Sequence, residues 1–97
     1  MEEKLQAIHD YLQEHFPSAE IDVTEQIDYA AYLFKVKTED AICRRVFVRV
    51  NVLKKYTKTQ LAVFFDLHNL ISTVKSMKSG QTIFVNMNGL SLKSTYS

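Results

Sequence analysis

The sequence contains few of the residues that break or cross-link a chain. Among its 97 residues are one cysteine, two glycines, one proline and no tryptophan. A single cysteine, Cys43, excludes an internal disulfide. Gly80 and Gly89 are isolated, which excludes a glycine-rich phosphate loop and with it the common nucleotide-binding folds. The longest uninterrupted apolar stretch, residues 61–65, is too short for a transmembrane helix, so we expect no contact with a membrane.

Length and composition predict a single domain over residues 1–97. A chain of this length has room for one hydrophobic core. Its content of 46% hydrophobic and 24% charged residues is ordinary for a globular domain. The first residues, Met1 to Lys4, lack a basic start followed by an apolar region, so no signal peptide is predicted. Together with the single cysteine, this predicts a cytoplasmic location.

Charge is divided between the two parts of the chain. Residues 1–40 carry ten acidic and three basic side chains, a formal charge of −7. Residues 41–97 carry nine basic side chains and one acidic side chain, Asp66, a formal charge of +8. The net charge of +1 hides this division. Such a division can provide a basic surface for an anionic partner, or it can be neutralised within one chain or between two copies.

The first half of the chain predicts one helix and three strands. Apolar residues recur at helical spacing up to Pro17, so a helix is expected over about residues 2–15. Alternation of apolar and polar residues at 20–24 predicts a short strand. Two stretches rich in aromatic and β-branched residues, 29–37 and 42–52, predict two more strands.

The faces of these last two strands predict how they pair. If their apolar side chains share one face of the sheet, the loop between them has an odd number of residues. This requirement places Val36 opposite Ile42 and Tyr32 opposite Val46. Aromatic and basic side chains then alternate on the reverse face.

The second half predicts a helix followed by a hairpin. Thr57 and Gln60 fit a capping box and mark the start of a second helix. Its apolar run continues to Gly80, which is expected to follow the last helical residue. Asn88 and Gly89 predict a type I′ turn, with both residues at positive φ, between the two final strands.

The predicted order of elements is α-β-β-β-α-β-β, an α+β fold in which an antiparallel sheet is packed by two helices. In this order the chain resembles the type III secretion chaperones, which are dimers that bind segments of effector proteins. The resemblance carries no sequence motif, and the final helix of that family is not predicted here. It implies a dimeric, protein-binding domain. The opening α-β-β-β-α is also similar in order to double-stranded-RNA-binding domains.

No pattern of residues predicts catalysis or a metal site. His9 and His15 lie six positions apart and not four, and His68 has no ligand partner at a suitable spacing. Cys43 is expected to pack within a strand and not to act as a nucleophile. We therefore predict a protein that is not an enzyme, with no catalytic residue, no metal and no cofactor.

Our first functional hypothesis is a protein-interaction domain that forms a homodimer or binds another protein. The second predicted helix is apolar around more than one face, so one core cannot cover it. The predicted interface residues are Phe64, Phe65, Leu67, Leu70 and Ile71. The acidic part of one copy would meet the basic part of another.

The alternative hypothesis is binding of nucleic acid. Basic side chains hold phosphates and rings stack on bases, so a strand that alternates the two suits a single strand. The predicted residues are Arg45, Phe47, Arg49, Lys54, Lys55 and Lys58. The same pattern also fits a sheet face beneath a second layer, past which arginine and lysine side chains reach the solvent.

Overall fold

The fold is a five-stranded sheet with helices packed on one of its faces. A computed structural model describes residues 2–78 and 80–94. In chain order the elements are α1 (Glu2–His15), β1 (Glu20–Gln26), a 3₁₀ helix (Ile27–Tyr29), β2 (Ala31–Lys37), β3 (Cys43–Arg49), α2 (Val50–Lys55), α3 (Lys58–Leu67), α4 (Leu70–Ser76), β4 (Gln81–Asn86) and β5 (Gly89–Ser94).

The sheet is mostly antiparallel, and the α+β class is confirmed. Its strands lie in the order β1-β2-β3-β4-β5. Only β3 and β4 are parallel. Parallel neighbours need a long crossover connection, and here α2, α3 and α4 supply it. None of the helices in residues 2–78 and 80–94 is long and apolar enough to cross a membrane.

The first predicted helix is confirmed as α1, which packs on the core through Ile8 and Leu12. Tyr11 on the same helix donates a hydrogen bond to the carboxylate of Asp66 in α3. Burial and this bond raise the pKa of the Tyr11 hydroxyl above its usual range. The bond ties the first helix to the crossover.

The prediction that the third strand runs to Val52 is wrong, because the chain turns into α2 after Arg49. Arg49 has extended backbone angles, φ −68° and ψ 145°, and α2 begins at the next residue. Val52 and Leu53 are both fully buried in the core. Consecutive residues of a strand point to opposite faces, whereas a helix can turn both toward one core.

The second predicted helix begins as expected but does not continue to Gly80. The Thr57 hydroxyl accepts a hydrogen bond from the backbone N–H of Gln60 at 3.2 Å, and the Gln60 side chain accepts one from the Thr57 N–H at 2.9 Å. This confirms the capping box. The helix then breaks at Asn69, whose φ of 57° and ψ of 43° are left-handed. Asparagine tolerates this conformation better than most residues. One predicted helix is therefore two, α3 and α4.

The predicted pairing of β2 with β3 is wrong by two residues. Val36 lies opposite Arg44, and Val46 lies opposite Phe34. Beyond the pair of Lys37 and Cys43, the N–H of Thr38 donates to the carbonyl of Ile42 at 3.4 Å, which leaves a three-residue loop, 39–41, ending at Ala41 with a φ of 65°. A left-handed residue at this position is common in three-residue hairpin loops. Because the shift is even, every side chain keeps its predicted face.

The loop of the last hairpin lies one residue earlier than predicted, which shifts the pairing of its two strands by two residues. Asn86 pairs with Gly89, so the loop consists of Met87 and Asn88. Among residues 2–78 and 80–94, the non-glycine residues with positive φ are Ala30, Ala41 and Asn69. The predicted type I′ turn is therefore wrong for Asn88. Gly89 has a φ of 126° and follows the loop, as glycine does at the fourth position of a type I turn.

Candidate functional site

The face of the sheet opposite the helices carries its own small apolar cluster. Ala31, Leu33 and Phe47 are buried there, and Phe84 packs against them half-buried. All buried residues of α1, α2, α3 and α4 belong to the other cluster, on the far side of the sheet. We call this second surface the open face. Among the described residues it has no covering layer of helix.

Three aromatic rings gather on the open face. Phe47 and Phe84, neighbours on β3 and β4, stack in parallel with their centroids 4.8 Å apart. The ring of Tyr29 tilts against them, 5.2 Å from Phe47 and 6.0 Å from Phe84. Tyr29 is 49% exposed and Phe47 only 9%. Tyr29 is therefore the ring that a ligand can reach most easily.

The position of Tyr29 depends on the 3₁₀ helix that joins β1 to β2. Ala30, the residue after this helix, has a left-handed φ of 48°. Its carbonyl accepts a hydrogen bond from the N–H of Val50 at 2.8 Å. The guanidinium of Arg49 donates to the carbonyl of Tyr29 at 3.0 Å. These contacts fix the backbone on both sides of the Tyr29 ring.

Two cations lie over the ring of Phe84. The guanidinium carbon of Arg49 is 5.5 Å from the ring centroid, and the ammonium of Lys93 is 5.2 Å from it. Both distances fall within the range of cation–π attraction. Arg49 also donates to the side-chain oxygen of Asn86 at 2.7 Å. Arg49 is thus held in place, whereas Lys93 is exposed on the edge strand β5.

A pocket of about 390 Å³ lies beside these rings. We call it the ring pocket; its lining consists of Tyr29, Arg45, Phe47, Thr82, Phe84, Lys93 and Ser94. Its walls therefore combine aromatic rings with cations, and they come from four separate segments of the chain.

The cations around the ring pocket form no ion pair with any residue that the structure describes. Within residues 2–78 and 80–94, the ion pairs join Lys37 to Asp22, Arg44 to Asp40, Lys58 to Glu3 and His9 to Asp10. None of these pairs includes Arg45, Arg49 or Lys93. The strand β1 also places acidic side chains on the open face. However, β1 is the edge strand at the other end of the sheet from β5, which carries Lys93. The positive charge at the ring pocket therefore remains available to an anionic ligand.

The residues predicted to bind nucleic acid divide between the two sides of the sheet. Arg45, Phe47 and Arg49 share the open face, where Phe47 is one of the three rings and Arg49 lies over Phe84. Lys58 begins α3 and lies 3.9 Å from Glu3 of α1, in the helical layer. Lys54 and Lys55 are exposed on α2, whose buried residues belong to the core cluster on the helical side of the sheet. The structure thus brings together half of the predicted set.

The five residues predicted to form a protein interface also divide. Phe64, Phe65 and Leu70 are buried in the core of the chain itself, and Ile71 is partly buried against that core. Leu67 is 73% exposed. Of the predicted set, Leu67 is the side chain with most of its surface open to a partner.

Four residues of the ring pocket were absent from the sequence-based prediction: Thr82, Phe84, Lys93 and Ser94. The alternation of the fourth strand puts Thr82 and Phe84 on the face away from the core. No local pattern indicates that this strand lies beside β3, because that neighbour is set by the long crossover. The aromatic cluster therefore became visible only in the folded chain.

The histidines and the cysteine form no shared site. His9 lies 3.2 Å from Asp10, whose pKa is lowered by hydrogen bonds from Gln6 and then His9. The ring of His68 packs on Phe64 with a centroid distance of 4.5 Å. In the described part of the chain, no three histidine, cysteine or acidic side chains are grouped as metal ligands.

Comparison with known proteins adds no relative. No protein family, curated protein or solved structure significantly matches this chain. The resemblance to type III secretion chaperones is therefore limited to the predicted order of elements.

Proposed function

We propose that the domain binds single-stranded nucleic acid on the open face of its sheet. The observation that carries the proposal is the cluster of Tyr29, Phe47 and Phe84, flanked by cations that form no ion pair within the described residues. Rings offer stacking surfaces to unpaired bases, and cations attract the phosphates between them. Both features meet at one pocket.

A single strand suits this surface better than a duplex. The bases of a duplex are stacked on one another and cannot lie against a protein ring, whereas a single strand can turn its bases outward. Tyr29 would stack on one base, because its ring is the most exposed of the three. Arg45 and Lys93 would hold the phosphates beside that base. Cations bind the backbone whatever the sequence, so we expect weak sequence preference.

The test is fluorescence anisotropy with a labelled ten-nucleotide oligothymidine at several salt concentrations. We expect the affinity of the wild type to fall steeply as salt increases. Tyr29→Ala should weaken binding about tenfold, since stacking of a base on a ring contributes roughly 1–3 kcal/mol.

A pair of matched double variants locates the binding surface. Arg45→Gln with Lys93→Gln removes two charges from the open face. Lys54→Gln with Lys58→Gln removes two charges from the helical side. We expect a large loss of affinity from the first pair and a small loss from the second. Equal losses would mean attraction by overall charge, and no binding by the wild type at low salt would reject the proposed function.

A second candidate function, self-association as a homodimer, is favoured by an apolar stripe on α3. Val63 and Leu67 lie four residues apart on this helix and are 61% and 73% exposed. Residues at this spacing share one face. A second copy could cover the stripe, with the acidic part of one chain beside the basic part of the other.

Sedimentation at low and high salt tests this second candidate. Val63→Ser with Leu67→Ser should convert a dimer to a monomer. Ile27→Ser is the control, because Ile27 is 81% exposed but belongs to the 3₁₀ helix and not to α3. A wild type that remains monomeric at high concentration would reject the dimer.

A further inference from the structure

The hydroxyl of Thr82 is buried without a hydrogen-bond partner among the described residues. Thr82 is only 3% exposed. It lines the ring pocket, on the same face of the sheet as Phe84 two residues later. A buried polar group without a partner destabilises a fold. A valine side chain would fill the same space without burying an unpaired hydroxyl. The hydroxyl of Thr82 therefore indicates a role other than packing.

The two strands beside Thr82 place a cation on each side of it. Arg45 of β3 and Lys93 of β5 are its direct neighbours in the sheet. Neither forms an ion pair in the described part of the chain. Both side chains are exposed, so they can rotate at little cost, and for Lys93 the rotation gives up its cation–π contact with Phe84. Such a rotation would open the hydroxyl to a ligand in the pocket.

A phosphate group satisfies all three side chains at once. Its oxygens accept hydrogen bonds from a hydroxyl, a guanidinium and an ammonium, and bonds to a charged acceptor are stronger than those between neutral groups. A neutral ligand would leave the two cations uncompensated. The side chains of Arg45, Thr82 and Lys93 together therefore favour an anion with several oxygen atoms.

We propose that Arg45, Thr82 and Lys93 form a phosphate subsite in the floor of the ring pocket. This inference rests on the proposed function and makes it more specific. One phosphate of a bound strand sits at this fixed position, while the base next to it stacks on Tyr29. The open face then has a defined register for one nucleotide and is not a uniformly charged surface.

Three variants test the role of the hydroxyl in oligothymidine binding. Thr82→Val removes the hydroxyl at nearly constant volume and should weaken binding about tenfold or more. The same change should raise the melting temperature by about 4 °C, because the buried unpaired group is gone. Thr82→Ser keeps the hydroxyl and should keep the affinity. Thr24→Val is the matched control, because Thr24 is an exposed threonine of β1 that also lies on the open face.

Inorganic phosphate is the second probe, read from amide resonances in nuclear magnetic resonance spectra. We expect it to shift the resonances of Arg45, Thr82 and Lys93 in the wild type and much less in Thr82→Val. If the wild type binds the oligonucleotide and Thr82→Val binds it equally well, the subsite is rejected and the proposed function stands. If phosphate shifts these resonances but the oligonucleotide does not bind, the subsite stands and the proposed function fails. If neither probe binds, both are rejected.

Discussion

The guanidinium of Arg44 binds the carboxylate of Asp40 at 3.2 Å across the hairpin loop that joins β2 to β3. Arg44 is almost fully buried, on the core face of the sheet. Its Nε also donates to the carbonyl of Val74 in α4 at 3.0 Å. Thr38 and the N–H of Ile42 donate to the same carboxylate. One buried cation thus connects the loop to the crossover helices.

The Asp40 contacts predict a loss of stability in acid. Hydrogen bonds from Thr38 and then from Arg44 lower the pKa of Asp40 to about 2. An unfolded aspartate has a pKa of about 3.9. A lowered folded pKa gives stability that is present above the unfolded value and is lost as pH falls through the folded value. We expect stability to decrease between about pH 5 and pH 2.

Asp40→Asn should remove this part of the pH dependence, measured by urea unfolding at several pH values. Glu39→Gln is the control, because it neutralises the adjacent residue of the same loop. An Asp40→Asn variant with the same acid sensitivity as the wild type would contradict the role of the carboxylate.

Removing the capping box should weaken the crossover. Thr57→Ala takes away the acceptor for the Gln60 N–H and should lower the free energy of unfolding by about 1 kcal/mol. Chemical denaturation measures the change. Thr59→Ala, within the first turn of α3, should have a smaller effect. Equal losses from the two substitutions would show that the cap contributes nothing specific.

Substitution of Gly89 should be costly for two separate reasons. Its φ of 126° suits glycine, and a Cβ atom there would lie 3.3 Å from Nδ1 of His68. We expect Gly89→Ala to destabilise the fold by about 1–3 kcal/mol. Repeating it in a His68→Ala background separates the causes, since only the backbone strain then remains. An unchanged unfolding free energy in both backgrounds would refute this account of the hairpin.

The break between α3 and α4 should depend on the residue at Asn69. Asn69→Gly should be tolerated, because glycine adopts left-handed angles freely. Asn69→Val should lower the free energy of unfolding by about 1–2 kcal/mol, because a β-branched side chain resists those angles. Thermal unfolding of the two variants gives the comparison. If Asn69→Val is as stable as the wild type, we expect α3 and α4 to have merged into one helix. Circular dichroism would then show an increase in helical content.

Local signals predicted the parts of the fold that depend on neighbours in sequence. The helical spacing before Pro17 located α1, and the pair Thr57 and Gln60 located the start of α3. Alternation along β2 and β3 assigned each side chain to its face. These features arise within a few residues of one another, so the sequence alone contains the physical cause.

The same local signals failed where two conformations compete. Asn88 and Gly89 favour a tight turn between them, yet in the structure the loop consists of Met87 and Asn88. The apolar stretch after Arg49 fits a strand by composition, yet Val52 and Leu53 fill the core from a helix. For Val52 and Leu53, packing in the core overrode a local preference that contributes only a small free energy.

The sequence by itself determined on which face of the sheet the side chains of β2 and β3 lie. It also determined the division of charge along the chain and the small number of residues that break helices or strands. Only the tertiary structure decided which strands became neighbours, because a crossover of three helices sets β4 parallel to β3. That pairing stacks Phe84 on Phe47 and places Thr82 between Arg45 and Lys93. The ring pocket is therefore a product of contacts between residues far apart in the chain, which no local pattern encodes.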